Sequence, residues 1–135
     1  MNEVRVSRLV VVDNHEQQFV QLRESHPAGE PREITLVIGP AEAAAISYGL
    51  EDAKLPRPLT FDLAHRLIES LGGRLVEAVI HDLREQTYFA ELHLERQGET
   101  VQVDCRPSDA IALSLRASSP IYVTDKVFTA ASQPE

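Results

Sequence analysis

Five charged side chains stand where the chain is set to change direction. Glu42, Asp62 and Asp109 fall in the opening turns of three helical patterns, and Arg57 and Arg106 each directly precede a proline. Hydrolysis of a phosphodiester assisted by a metal needs carboxylates to hold a divalent ion, a cation to offset charge on the pentacovalent phosphate, and a base or metal-bound hydroxide to attack. The chain contains every type of group on that list. Glu42, Asp62, Arg106 and Asp109 form the candidate catalytic set, with Glu42 and Asp109 as the ligands of Mg²⁺ or Mn²⁺. Arg57, Thr60 and Ser108 are the candidate substrate contacts, the guanidinium suited to phosphate by its planar fork of donors. No D-x-D, H-x-H or H-E-x-x-H pattern fixes a metal site.

Each acid also has a purely local use. A carboxylate in the first helical turn interacts favourably with the dipole and the free N–H groups, worth about 0.3 to 1 kcal/mol. Both readings stay open for Glu42, Asp62 and Asp109, and pairing with nearby acids competes with a ligand role for Arg57 and Arg106. Ser108 reads as a helix-start residue, since no histidine lies near it in sequence to activate the hydroxyl. Glu91, His93 and Glu95 share a strand face at two-residue spacing, which suits a metal or, more simply, a solvated outer face. His65 lies off the apolar stripe of its helix and reads as exposed. Cys105 ends a strand with Val101 and Val103 on its side and reads as a buried thiol; Arg106 would lower its pKa if the sulfur were exposed.

The elements that must position these groups come as two similar halves. Pro40-Ala-Glu-Ala-Ala-Ala-Ile-Ser47 and Pro107-Ser-Asp-Ala-Ile-Ala-Leu-Ser114 each follow a β-like run. Gly39 serves as N-cap and Pro40 suits the first helical position, where a missing N–H costs nothing, predicting a helix over about 40–51. Leu55-Pro-Arg-Pro58 is an extended connector, and Thr60 is the expected cap of a second helix with Leu63, Leu67, Ile68 and Leu71 on one face and Gly72-Gly73 as its stop. Strands are predicted over 1–12, 19–23, 33–38, 74–82, 87–95, 99–105 and 121–123, with turns at Asp13-Asn14-His15 and Gln97-Gly98 and a helix from Pro107 to about Ala117. The expected fold is α+β and two-layered: two internally duplicated β-β-β-α units, an antiparallel or mixed sheet, and helices packed on it. Residues 1–128 form one expected domain, and 129–135 an Ala/Ser/Gln/Pro tail expected to be disordered.

The chain has 135 residues, 13 Lys plus Arg against 21 Asp plus Glu, and a net charge of −8. That balance disfavours extended, sequence-independent binding to a phosphate backbone, although a bound metal or a local arginine can invert the field on an acidic protein. Aromatic residues make up 5% of the chain and tryptophan is absent, so stacking is not the expected mode of recognition. One cysteine, no apolar run near the ~20 residues of a membrane span, and a polar start without a signal-peptide core lead to the expectation of a cytoplasmic protein without a membrane partner.

The stretches RPLTFDLAHRLIESLGG (57–73), EQTYFAELHLE (85–95) and, above all, VDCRPSDAIALSLR (103–116) followed by PIYV (120–123) resemble the bifunctional nuclease (BFN) family, as does IGPAEAAAISYGLE (38–51). The resemblance covers most of residues 4–128. It implies an α+β fold with internal duplication, a homodimer, and a nuclease activity on DNA and RNA attributed to some plant members. Where many relatives carry His or Tyr after the threonine of an RPLTHDL-like stretch, this chain has Phe61, so a proton-transfer role is lost there. Two readings from other classes stand beside the nuclease. One is a non-enzymatic binding or regulatory module that receives an anion at its helix N-termini; the other is a structural homo-oligomer using Ala/Ser helix faces and edge strands.

Overall fold

Alternation of buried and exposed residues along Glu33–Ile38 shows how the sheet is built: Ile34, Leu36 and Ile38 are buried while Glu33, Thr35 and Val37 are exposed. The computed structural model describes residues 1–12 and 17–133. In chain order the elements are β1 (Asn2–Val10), β2 (Gln18–Glu24), β3 (Glu33–Ile38), α1 (Pro40–Leu50), α2 (Thr60–Ser70), β4 (Gly73–Arg84), β5 (Thr87–Arg96), β6 (Glu99–Cys105), α3 (Pro107–Ala117), β7 (Ile121–Val123) and α4 (Asp125–Ser132). The strands form one seven-stranded sheet in the order β3-β2-β1-β7-β4-β5-β6. The short β7 joins the two halves, antiparallel to β1 and parallel to β4, and the remaining pairs are antiparallel. The fold is therefore mixed α+β, as expected. The predicted turn at Asp13-Asn14-His15 lies outside the described residues.

Both tight turns of the second half use positive φ at two successive residues, Glu85 (49°) and Gln86 (66°), then Gln97 (52°) and Gly98 (80°). That geometry matches the twist of the paired strands. The α3 helix stops at Ser118, whose φ of 54° turns the chain out before Pro120.

A single apolar core joins one sheet face to the helices, with Val20, Leu22, Ile46, Ile80, Ile111, Val123 and Val127 at its centre. The alanines of α1 and α3 let these two helices lie side by side, Ala43 and Ala45 on one and Ala110 and Ala112 on the other being buried.

Three sequence expectations change. The cap of α2 is Leu59, and Thr60 is the first helical residue. The stretch from Thr129 continues α4 to Ser132 in place of a disordered tail. Thr124 opens that helix by accepting the Val127 N–H on its hydroxyl at 3.3 Å, and Val127 and Phe128 are buried in the core. Finally, Leu63, Leu67 and Leu71 point outward, exposed by 50%, 53% and 67%. Phe61, Ala64 and the Arg116–Asp62 ion pair make the inner contacts of α2 instead.

Candidate functional site

Glu42, Asp62 and Asp109 are each the third residue of their helix, and each does the same local work. Glu42 Oε1 accepts the Gly39 N–H at 3.0 Å, Asp62 Oδ2 the Leu59 N–H at 2.8 Å, and Asp109 Oδ2 the Arg106 N–H at 3.2 Å. A side chain at this position reaches back to the capping residue and satisfies a donor that the helix cannot. The local reading is thus correct for all three acids. What separates them is the guanidinium each one meets.

Arg106 lies between the starts of α1 and α3. Its Nε donates to Asp109 Oδ2 at 3.0 Å and its Nη2 to Asp109 Oδ1 at 2.9 Å, while Nη1 stands 3.7 Å from Glu42 Oε2. The two junctions therefore converge, and a cation bridges their acids. Asp62 is elsewhere, at the far end of α3. There Arg116 donates from Nε to Asp62 Oδ1 at 3.0 Å and from Nη1 to the carbonyls of Ala45 and Ala112 at 3.1 and 3.2 Å. A separate hollow of about 250 Å³ there includes Asp62, His65 and Arg116.

At the α1/α3 junction opens a cavity of about 980 Å³. Its walls are the β3 residues Thr35–Ile38 with Gly39, Leu83 and the β4–β5 turn residues 85–88, and the end of α4. Glu42, Arg106, Pro107 and Ser108 line it. Ser108 was predicted and is present; Thr60 and Arg57 are exposed around the α1–α2 connector and line neither hollow. Sequence reasoning missed Tyr88, whose phenol is pushed above its ordinary value by burial, and the α4 wall. The capping threonine and the Val127-Phe128 pair were the signals for α4.

The acids brought together do not fit a Mg²⁺ or Mn²⁺ ion as they stand. Asp109 has both oxygens on Arg106, Glu42 Oε1 is held by Gly39, and a guanidinium occupies the space a shared ion would need. Among the described residues no group of three or more His, Cys, Asp and Glu side chains is arranged to hold a metal. His93 is instead clasped between Glu77 (2.8 Å) and Glu91 (2.9 Å), and Glu95 pairs with Arg74 at 3.0 Å. Burial and the charges of Asp109, Asp104 and Glu91 push the Cys105 thiol up to about 12, in line with the expected buried thiol, and the lowering by Arg106 that an exposed sulfur would feel does not arise, since that charge is committed to Asp109. Among the described residues no helix is long and apolar enough to cross a membrane.

Comparison with known proteins gives a consistent set. The bifunctional nuclease domain profile matches residues 20–135. An uncharacterised protein of Mycobacterium tuberculosis, strains CDC 1551 and H37Rv, is 41% identical over 131 residues, covering 97% of this chain and 76% of that protein. Bifunctional nuclease 1 of Oryza sativa subsp. japonica is 24% identical over 97 residues, covering 70% of this chain and 29% of its own length. Bifunctional nuclease 2 of Arabidopsis thaliana is 24% identical over 93 residues, covering 67% and 28%.

Proposed function

The chain belongs to the bifunctional nuclease domain family, and from that premise we propose that it binds and hydrolyses phosphodiesters of DNA and RNA in the cavity between the starts of α1 and α3. One observation carries the proposal: Asp109 fixes Arg106 by two hydrogen bonds from the guanidinium, at 3.0 and 2.9 Å, leaving its other three N–H donors for a phosphate. The guanidinium offsets charge as the phosphorus becomes pentacovalent, and a donor fixed in advance needs no reorganisation at that moment. Glu42 Oε2, which forms no hydrogen bond among the described residues, accepts the proton of the attacking water as its oxygen bonds to phosphorus; the P–O bond on the opposite side breaks, and the departing sugar oxygen takes its proton from solvent.

The test is cleavage of single-stranded DNA and RNA by wild type, Arg106→Met and Glu42→Gln, each in EDTA, Mg²⁺ and Mn²⁺. Both substitutions should lower the rate by about 100-fold or more. Equal rates in wild type and variants would remove the proposal for these residues. A rate that depends on added Mg²⁺ or Mn²⁺ would overturn the charge-offsetting role given to Arg106, because the acids as they stand do not fit that ion. Binding of the strands without cleavage would favour the non-enzymatic module.

A second observation favours self-association. Leu63, Leu67 and Leu71 form an exposed apolar stripe along α2, and a second copy of the chain is the partner proposed for it. Sedimentation of wild type against Leu67→Glu should show a dimer converted to monomer.

A further inference from the structure

Resting on the reading above, we infer that the cavity recognises a single phosphate group, so that its ligand is a short unpaired nucleotide segment of one or two residues and not the run of phosphates along a continuous strand. Ser108 is the first reason. It keeps only 6% of its exposure, it lines the cavity, and none of the hydrogen bonds among the described residues involves its hydroxyl. The fully buried side-chain atoms that lack a partner among the described residues are Ser114 and Ser119 Oγ and not this one, so the little access the Ser108 hydroxyl keeps is open to a ligand in the cavity. Its position, second in α3 and two residues from Arg106, puts that missing partner where the helix N-terminus favours an anion.

The distribution of charge is the second reason. Arg106 is the one basic side chain among the described residues lining the cavity, and the other charged groups there are Glu42 and Glu85. A second phosphate would meet a carboxylate. The dimensions agree: about 980 Å³ lies at the upper end of the range of roughly 300 to 1,000 Å³ for small-ligand sites, room for one or two nucleotide residues and not for a long strand. Tyr88 offers the wall's aromatic surface to a base.

Binding of phosphorothioate-linked thymidine oligomers of about two, five and twenty residues to the intact chain in EDTA, over a range of salt, tests this inference. The dinucleotide should bind within about threefold of the 20-mer per site, and log Kd should change with log salt by a slope of about 0.7, the release of one counterion from a single strand. Ser108→Ala should weaken the dinucleotide about fivefold, and Arg106→Met more than tenfold with loss of the salt slope. Affinity climbing tenfold or more with length, a slope of about 2 or above, equal binding of an uncharged methylphosphonate dimer, or no binding of any oligomer would each overturn the inference. The length and salt series need only wild-type protein, so a misfolded variant cannot shield it. Dinucleotide binding with these signatures in a protein that cleaves nothing would remove the hydrolytic reading and leave this one standing.

Discussion

Asp109 accepts three hydrogen bonds from one residue, Arg106: from its backbone N–H at 3.2 Å, from Nε at 3.0 Å and from Nη2 at 2.9 Å. The acid predicted as a metal ligand thus positions a guanidinium. In Asp109→Asn the amide keeps one acceptor oxygen and loses the charge, so Arg106 becomes free to rotate. Activity or anion binding should fall about tenfold while stability drops by about 1 kcal/mol, the cost of a weakened cap and a part-exposed pair. Turnover and the urea midpoint, measured on the same preparation, separate the two effects.

Arg116 plays a structural part at the other end of α3. Its side chain is 8% exposed and ties Asp62 on α2 to carbonyls on α1 and α3. Arg116→Ala should cost about 2 to 3 kcal/mol, below the full penalty for a broken buried pair because Asp62 is partly exposed. Gly49 packs against this anchor: a Cβ there would lie 3.0 Å from Arg116 Nη1 and 3.1 Å from Leu115 Cβ. Gly49→Ala should therefore destabilise by about 1 kcal/mol, where a helical glycine ordinarily gains about that much on becoming alanine. In the Arg116→Ala background the cost should shrink, a coupling that a double-mutant cycle reads in chemical denaturation.

His93 gives a pH dependence. Burial lowers its pKa, but the hydrogen bonds and charges of Glu91 and Glu77 outweigh it and hold the imidazole above its ordinary 6.5. Both ring nitrogens face carboxylates, and only the imidazolium donates to both. With the folded value raised, the stabilisation is complete below pH 6.5 and is lost as pH rises through the folded pKa. The stability advantage of wild type over His93→Gln should shrink as pH rises above about 6.5 in urea titrations.

Cys105 should be inert. With the thiol pushed up to about 12, the thiolate is scarce at pH 8. Alkylation by iodoacetamide should run at least about 100-fold slower in the native protein than in urea, and rapid native labelling would contradict the burial assigned to the end of β6.

Most elements were legible because their signals are local. Glu33–Ile38, Glu99–Cys105 and Ile121–Val123 match the predicted spans, since alternation and the flanking turn residues define a strand without help from the rest of the chain. The α4 helix was hidden by composition: Ala130, Ala131, Ser132 and Gln133 read as a tail, and Val127 with Phe128 became informative only against the sheet they cover. Arg32 completes that docking, stacked 4.4 Å over the Phe128 ring and paired with Glu24 at 3.0 Å. Arg32 and Glu24 both lie about 100 residues from Phe128 in sequence, a separation beyond any periodicity argument.

The three acids divide the two kinds of information most plainly. The sequence alone determined that Glu42, Asp62 and Asp109 would stand in first helical turns and serve their own backbones, because a helix start exposes N–H groups within reach of a side chain three residues on. Only the tertiary structure decided that Arg106 would join Glu42 to Asp109 at a cavity while Arg116 drew Asp62 to the opposite end. That choice depends on how α1 and α3 lie against each other, which is set by buried alanines and the sheet beneath them and leaves no trace in the spacing of the charged residues.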